Sequence, residues 1–365
     1  MLFALLALLF SCLINAQQLA AKIILVDRIT NLKRPWGAEF LPDGRLLVSE
    51  MEGTLLLYDN QFNLIYQVIA PADLDQRRIA RYDNSGAFDV VVDPDFANNG
   101  FIYWSYTSKS NKNSFLKVSR LKLVKSVIKF DREIFSATPA NSDRFHYGGA
   151  LLFDSKNNLL IATGERFSSA KLQGNDFVAQ NQNDKRGKIW SIIQPAQTKI
   201  GKPFKTSLIA SGLRNVQSMT LVNKNVWLSD HGPIKGDELN LLTKNANYGW
   251  PYRTKGQYKD KDYQPNVMQD KTFTPPVYTW EEFTMAPSGL LYYQHKRYPQ
   301  FSKQLLVSGL SSGRLLKLDI QGDRILDEVQ LVLGIRQRDV LASPDGRIFI
   351  LSDETQGRMI EIIAK

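Results

Sequence analysis

One unit recurs along this chain and limits what it can fold into. A turn rich in Pro, Asp, Gly or Asn leads into a short β-branched or aromatic run, then a second turn and another run. The clearest copy is "LPDGRLLVSEMEGTLLLYD" (41–59). Further copies lie at 92–108, at 153–168 with 186–193, and at 221–242, 301–323 and 343–363. Each alternates with the period of a strand, and no segment sustains the 3.6-residue period of a helix. Without strand–helix alternation, a doubly wound sheet or an α/β barrel is excluded. Similar β units repeated every few tens of residues predict radial repetition, and a four-stranded blade takes roughly 40–50 residues. The expectation is an all-β, six-bladed β-propeller, one domain over residues 22–365. The run "KIILVDRITNL" (22–32) precedes the first copy. It is expected to close the ring beside the C-terminal "RMIEII". Loops 71–88, 136–150 and 244–276 exceed what blade turns need, and such insertions usually carry function.

Composition narrows the partners. At 43% hydrophobic residues a full core is available, and the 46 Lys and Arg against 36 Asp and Glu leave a net charge of +10. The cations are scattered with no dense basic run, so a nucleic-acid surface is not expected. "MLFALLALLFSCLINAQQ" is too short for a comfortable membrane span and matches a secretory h-region, with cleavage after Ala16. This predicts a signal peptide over 1–16 and a periplasmic or secreted protein, with lipidation at Cys12 as the alternative. Cys12 is the one cysteine. The mature chain would therefore hold neither disulfide nor thiol chemistry.

Few residues remain for chemistry. The three histidines, His146, His231 and His295, form no His-x-x-x-His pair, so zinc is not expected. No Gly-x-Ser-x-Gly elbow or Walker loop is present. His146 stands before "YGG", where small residues allow close approach to the backbone. Arg214 and Asn215 precede another strand. Arg336 and Arg338 are two apart, so on a strand they share a face. Such guanidinium groups suit carboxylates, or they simply bridge blades. "HGPIKGDELN" (231–240) offers Asp237, Glu238 and carbonyls of a Gly-Pro turn, an oxygen-rich set suited to calcium.

Nine stretches in order, "RPWGAEFLPDGRLLVSE", "GAFDVVVDPDF", "HYGGALLFD", "RGKIW", "GLRNVQSM", "HGPIKGDELNLL", "NYGWP", "MAPSGLLYY" and "RQRDVLASPDG", resemble the soluble, pyrroloquinoline quinone (PQQ)-dependent sugar dehydrogenases, the glucose/sorbosone dehydrogenase family. The resemblance runs from about Leu32 to the C-terminus. It implies an aldose substrate, an external electron acceptor, and PQQ with Ca2+ as cofactors. His146 matches the family's catalytic base. Asn84, Arg214, Asn215, Arg336 and Arg338 match positions that contact the quinone. The Gly232 and Pro233 carbonyls match ligands of the calcium beside the quinone, and Glu238 and Tyr248 match positions at a second, structural calcium. The chain departs from the family at four places. Asn84 stands for a glutamine, and Ser311 for a lysine of the glucose dehydrogenases. Glu281 and Glu282 stand where apolar residues approach the cofactor. Phe145 replaces a polar neighbour of the base, which would leave His146 without an orienting partner. A non-catalytic propeller binding a sugar, glycan or protein on the same face is the alternative expectation.

Overall fold

A computed structural model of the chain describes residues 23–75, 83–167, 177–197, 202–258, 272–311 and 313–365. The expected leader, Ala16 and Cys12 lie outside these residues, as do parts of the first and third long loops. Among the described residues no helix is long and apolar enough to cross a membrane.

Six antiparallel sheets stand in a ring, giving a six-bladed β-propeller. Blades 1 and 2 span 35–69 and 87–136. Blade 3 runs from 148 to 211 and gains a fifth, parallel strand, Ala246–Asn247. Blade 4 runs from 216 to 280, blade 5 from 287 to 332, and blade 6 from 337 to 364. Every repeat seen in the sequence falls in its own blade. The "PDG" turns of blades 1 and 6 are the same object. The Gly44 N–H donates to Leu41 O and the Gly346 N–H to Ser343 O, and both glycines hold positive φ, 89° and 83°. Pro at the second turn position and Gly at the fourth are what such a turn selects.

Burial grades outward through each blade. The second strands Leu46–Glu50, Leu159–Thr163 and Ile348–Ser352 are buried at every position. They are covered on both faces by neighbouring blades, so they read as continuous apolar runs. The outer strand Leu64–Ile69 is half exposed. Six apolar clusters fill the six gaps between blades. One example packs Leu47 and Leu55 of blade 1 against Trp104 and Leu121 of blade 2. Each fully buried large side chain there contributes about 1.5–3 kcal/mol. The Trp104 indole N–H donates to Ser49 Oγ at 2.7 Å, satisfying the one polar atom the packing would strand.

Ring closure follows the sequence expectation. Ile23–Leu32 pairs antiparallel with Gly357–Ala364 and completes blade 6, burying Ile29 and Leu32.

All six inner strands lose register near their starts, at Pro35/Gly37, Ala87/Val90, Gly148/Leu151, Val216/Ser218, Pro287/Leu290 and Gln337/Asp339. Bulges re-aim side chains. Here they turn Trp36, Phe88, Gln217 and Arg338 into one cleft at that end of the ring. Below it an axial channel of ≈ 230 Å³ is lined from all six inner strands and holds Glu39, Asp89 and Asp339. Loss of bulk water, then repulsion by Asp89, raises the Glu39 carboxyl to about 8. Desolvation likewise raises Asp89 to about 7, against two backbone hydrogen bonds, and Asp339 well above its ordinary value.

Two outcomes are expected. Deleting residues through Leu32 opens blade 6 and lowers the melting temperature; an unchanged melting curve would show that this strand does not hold the ring shut. Glu39 has a folded-state pKa above its unfolded one, so its contribution is full below the ordinary 4.5 and is lost as pH rises towards 8. Glu39→Gln should therefore match the wild type near pH 4.5 and melt above it near pH 8, read by calorimetry across that range.

Candidate active site

The cleft above the channel has a volume of ≈ 230 Å³. It brings together His146, Asn84, Asn215, Arg336 and Arg338, which lie in four blades or the loops before them. Arg214 sits behind this wall. His231, Ala286 and Ser311 complete the lining.

His146 is held in the left-handed region, φ 48°, a conformation that costs a non-glycine residue about 1–3 kcal/mol and clusters at functional sites. The neighbouring backbone imposes it. The Arg166 N–H donates to His146 O and the Gly164 N–H to Tyr147 O, zipping segment 164–166 against 146–147. Position 164 admits only glycine, because a Cβ there would collide with the His146 carbonyl. Arg166 is buried, lies 3.8 Å over the Tyr147 ring, and donates to the carbonyls of Phe145, Asp143 and Ser114.

Phe145 does not leave His146 without an orienting partner, because the same segment supplies one. Glu165 Oε1 lies 2.6 Å from His146 Nδ1. A carboxylate there selects the Nδ1–H tautomer and leaves the Nε2 lone pair free. Sequence reasoning missed Glu165; the only signal was an acidic residue directly after the strand that faces His146. Burial, then the Arg214 charge, lowers His146 to about 4, with Glu165 opposing. His231 is lowered to about 4, first by burial, with Arg214 and Arg338 adding to it and Asp237 opposing. Its Nε2–H donates to Pro287 O at 2.9 Å. Both rings are neutral near pH 7.

The arginines do both things open to them. Arg336 and Arg338 share Asp353, with Arg338 Nη2 2.8 Å from Oδ1. Against the cost of burial, Arg338 and Arg336 pull the Asp353 carboxyl down to about 2. Arg336 also donates to Leu310 O in blade 5, and Arg338 to Gln217 in blade 4, so the pair bridges blades as well as facing the cleft. Two guanidinium groups against one carboxylate leave one positive charge for an anion. Arg214 is buried, 5.1 Å over the Trp250 ring, and its Nε has no hydrogen-bond partner. Asp230 accepts the main-chain N–H groups of Arg214 and Asn215 and sets that corner, while Asn215 Oδ1 accepts from the Gly148 N–H. The charge shared by Arg336 and Arg338 in the cleft wall, with the Arg214 Nε orphaned behind it, fits an anionic ligand such as a quinone carboxylate.

The metal candidates divide. Among the described residues neither the Gly232 nor the Pro233 carbonyl accepts a hydrogen bond, so both oxygens are free for a hard cation. Asp237 is spent on shaping this turn. It accepts the N–H of Gly232 at 2.9 Å and those of Met285 and Ala286. Glu238 faces Asp230 across the strand pair, and desolvation, then the Asp230 charge, raises it to about 8. Asn240 donates to it while its own Oδ1 is buried without a partner. A cation beside Glu238 and Asn240 would satisfy both. Tyr248 gives its hydroxyl to Leu241 O at 2.6 Å and accepts from the Thr243 N–H, so only its main-chain oxygen is left to offer an ion. Among the described residues, no group of three or more His, Cys, Asp or Glu side chains is arranged for a metal. Any cation here must therefore draw most of its ligands from carbonyls and amides, with Glu238 the one carboxylate offered.

Glu281 and Glu282 do not line the cleft. Both are exposed, and Glu281 accepts from Thr279 Oγ1 and pairs with Lys255 at 3.6 Å. Ser311 is in the cleft wall, as the sequence placed it.

A family model described as Glucose / Sorbosone dehydrogenase matches residues 32–361. The aldose sugar dehydrogenase YliI of Escherichia coli is 27% identical over 370 residues, covering 96% of this chain and 96% of that protein. The crystal structure of the soluble aldose sugar dehydrogenase from Escherichia coli in its apo form superposes with a TM-score of 0.82 at 26% identity, over 94% of this chain and all of that one. The PQQ-bound aldose sugar dehydrogenase of Streptomyces coelicolor shares the fold, with a TM-score of 0.70 at 22% identity, over 94% of this chain and 99% of that one.

The neutral histidines make a pH prediction. Each has a folded-state pKa below its unfolded 6.5, so each contributes stability that is present above 6.5 and is lost as pH falls towards 4. In a proton NMR titration both rings should stay neutral well below 6.5, and Glu165→Gln should push the His146 midpoint lower still. A midpoint near 6.5 for His146 would mean that its ring is open to water.

Proposed function

The chain belongs to the glucose/sorbosone dehydrogenase family, and from that premise we propose that it is an exported quinoprotein oxidising the anomeric hydroxyl of an aldose to the lactone. Its resident groups would be PQQ and Ca2+, and an external acceptor would take the electrons. The observation that carries this reading is His146, with Nδ1 tied to Glu165 and a free Nε2 in a cleft lined by Arg336 and Arg338. Export rests on the apolar run ending at Ala16, with lipidation at Cys12 the alternative form of it.

The chain's own residues divide the work. Arg336 and Arg338, with Arg214 behind them, would hold the carboxylates of the quinone. Asn84 and Asn215 would fix its orientation with amide hydrogen bonds. The Gly232 and Pro233 carbonyls would hold the calcium beside it, and Glu238 with the Tyr248 carbonyl the second ion. When bound, the calcium-polarised quinone supplies the acceptor for the hydride leaving C1 of the sugar. His146 Nε2 takes the proton of the anomeric hydroxyl. Its depressed pKa keeps that nitrogen unprotonated between turnovers, and the Glu165 carboxylate stabilises the imidazolium as it forms. Trp36, Phe88 and Tyr147 wall the cleft against water.

The non-catalytic alternative drew support from Glu281 and Glu282, whose charges would repel an anionic cofactor. Their exposed position outside the cleft removes that support. Asn84 is one methylene shorter than glutamine and keeps the amide.

The apoprotein, titrated with PQQ in the presence of Ca2+, should change the quinone absorbance and acquire dye-linked aldose oxidation. Neither binding nor turnover under those conditions would overturn the reading. His146→Ala should lower kcat by about a hundredfold or more while leaving the quinone Kd within about threefold.

A further inference from the structure

The long loop between blades 1 and 2 meets the segment before blade 3 through one buried guanidinium. Arg144 Nε pairs with Asp83 Oδ2, its Nη1 lies 2.8 Å from Asp75 Oδ2, and its Nη2 donates to Ser85 Oγ at 2.6 Å. Ser85 in turn donates from Oγ and from its main-chain N–H to Asp83 Oδ1, at 2.6 and 2.8 Å. Arg144, Asp75, Asp83 and Ser85 are all buried. Among the described residues the guanidinium sits between two buried carboxylates, an arrangement that fixes geometry more than it adds stability.

The pattern along 83–85 gives this contact its meaning. Asp83 and Ser85 are buried and Asn84 between them is exposed. The Ser85 N–H on the Asp83 carboxylate closes an Asx-type turn, with Asn84 at its tip. Clamping the two flanking residues on Arg144 therefore turns Asn84 outward, into the cleft it lines. The main chain closes the same link, since the Asn84 N–H donates to Arg144 O at 3.0 Å. Two residues after Arg144 stands His146, already held in its left-handed conformation. One side chain thus anchors Asn84 while its own backbone leads into His146.

We propose that Arg144 is a positioning residue that sets the spacing between Asn84 and His146 across the cleft. It touches neither reacting atoms nor cofactor; it acts by holding the 83–85 loop against 144–146. The purpose given to that spacing rests on the dehydrogenase reading, whereas the clamp does not. Lysine keeps the charge but cannot reproduce a planar fork that reaches three acceptors at once. Misplacement by about 1 Å at a site of this kind costs about a hundredfold in rate.

The test uses the full chain with Arg144→Lys and the milder Ser85→Ala, which removes one hydroxyl and keeps both ion pairs. Hydrogen exchange at the Asn84 amide should accelerate about tenfold or more in Arg144→Lys and less in Ser85→Ala, with exchange at Leu306 in blade 5 unchanged as the control for global stability. The His146 ring should titrate higher than in the wild type, and in the reconstituted protein kcat should fall more than KM rises. A purely structural loss would move the Leu306 amide as well and leave the His146 titration where it was. A folded Arg144→Lys with wild-type exchange at Asn84 and wild-type titration of His146 would overturn the proposal. If Arg144→Lys does not fold, an unchanged Asn84 amide in Ser85→Ala overturns it instead. Absence of sugar oxidation in the wild type would sink the dehydrogenase reading alone, because exchange and titration are read without substrate.

Discussion

Six strands that converge on one axis present their inner edges to each other without forming a common ladder, and the main-chain groups on those edges must find partners elsewhere. At three of the blade junctions the partners are side chains of the preceding blade. Asp89 of blade 2 accepts the Leu151 N–H of blade 3, Asp339 of blade 6 accepts the Ala38 N–H of blade 1, and Ser218 of blade 4 accepts the Leu290 N–H of blade 5. Asp89 and Asp339 each also accept the N–H of the next residue along their own strand. Glycines make room for them: a Cβ at Gly37 would press on Asp89 at 2.8 Å, and one at Gly289 on Asp339 at 2.7 Å. The acidic channel is therefore the means by which the ring satisfies its inner edges. The raised carboxyl pKa values are its energetic cost.

The same constraint builds the cleft. A strand that must stop pairing near the axis does so through a bulge, and all six inner strands carry one at the same end. Bulged residues no longer alternate with the ladder, so Trp36, Phe88, Gln217 and Arg338 face along the axis instead of into a blade gap. Cleft and channel share Trp36, Gln217 and Arg338 as the layer between them. Arg338, 5.7 Å from the Trp36 ring and bonded to Gln217, ties three blades together in that layer. Scaffold and site are joined through these few residues.

The fold was legible because it is repetitive. The turn–strand–turn–strand unit appears six times, with a "PDG" turn in the first and last copies, and the ring closure follows from an unused strand at one end meeting an unpaired one at the other. The site was legible where a motif marks it, and the structure gathers His146, Asn84, Asn215, Arg336 and Arg338 around one cleft. What remained hidden were residues that act through others. Glu165, Asp353 and Arg144 carry no motif, and their roles depend on partners 19, 15 to 17, and 59 to 69 residues away. Periodicity could not say which way Glu281 and Glu282 turn. That is decided by the exposed turn after the three-residue strand Tyr278–Trp280, too short for a pattern to form.

Charge accounts for the remaining asymmetry of the cleft. Its acids, Glu165, Asp230, Asp237 and Asp353, each hold a nitrogen in place: a ring, a pair of amides, a turn and two guanidinium groups respectively. None is left over to face a ligand. Its cations are not used up in the same way, since Arg336 and Arg338 share one carboxylate and Arg214 keeps an unpartnered Nε. The Arg214 charge depresses both histidines by adding to the burial that already does so. An anionic occupant would offset the Arg214 charge felt by His146 and so raise the basicity of Nε2 at the moment the site is filled. The same residues that would recruit the ligand would then tune the base, which is weak while the cleft lacks its anion and stronger once the anion is bound.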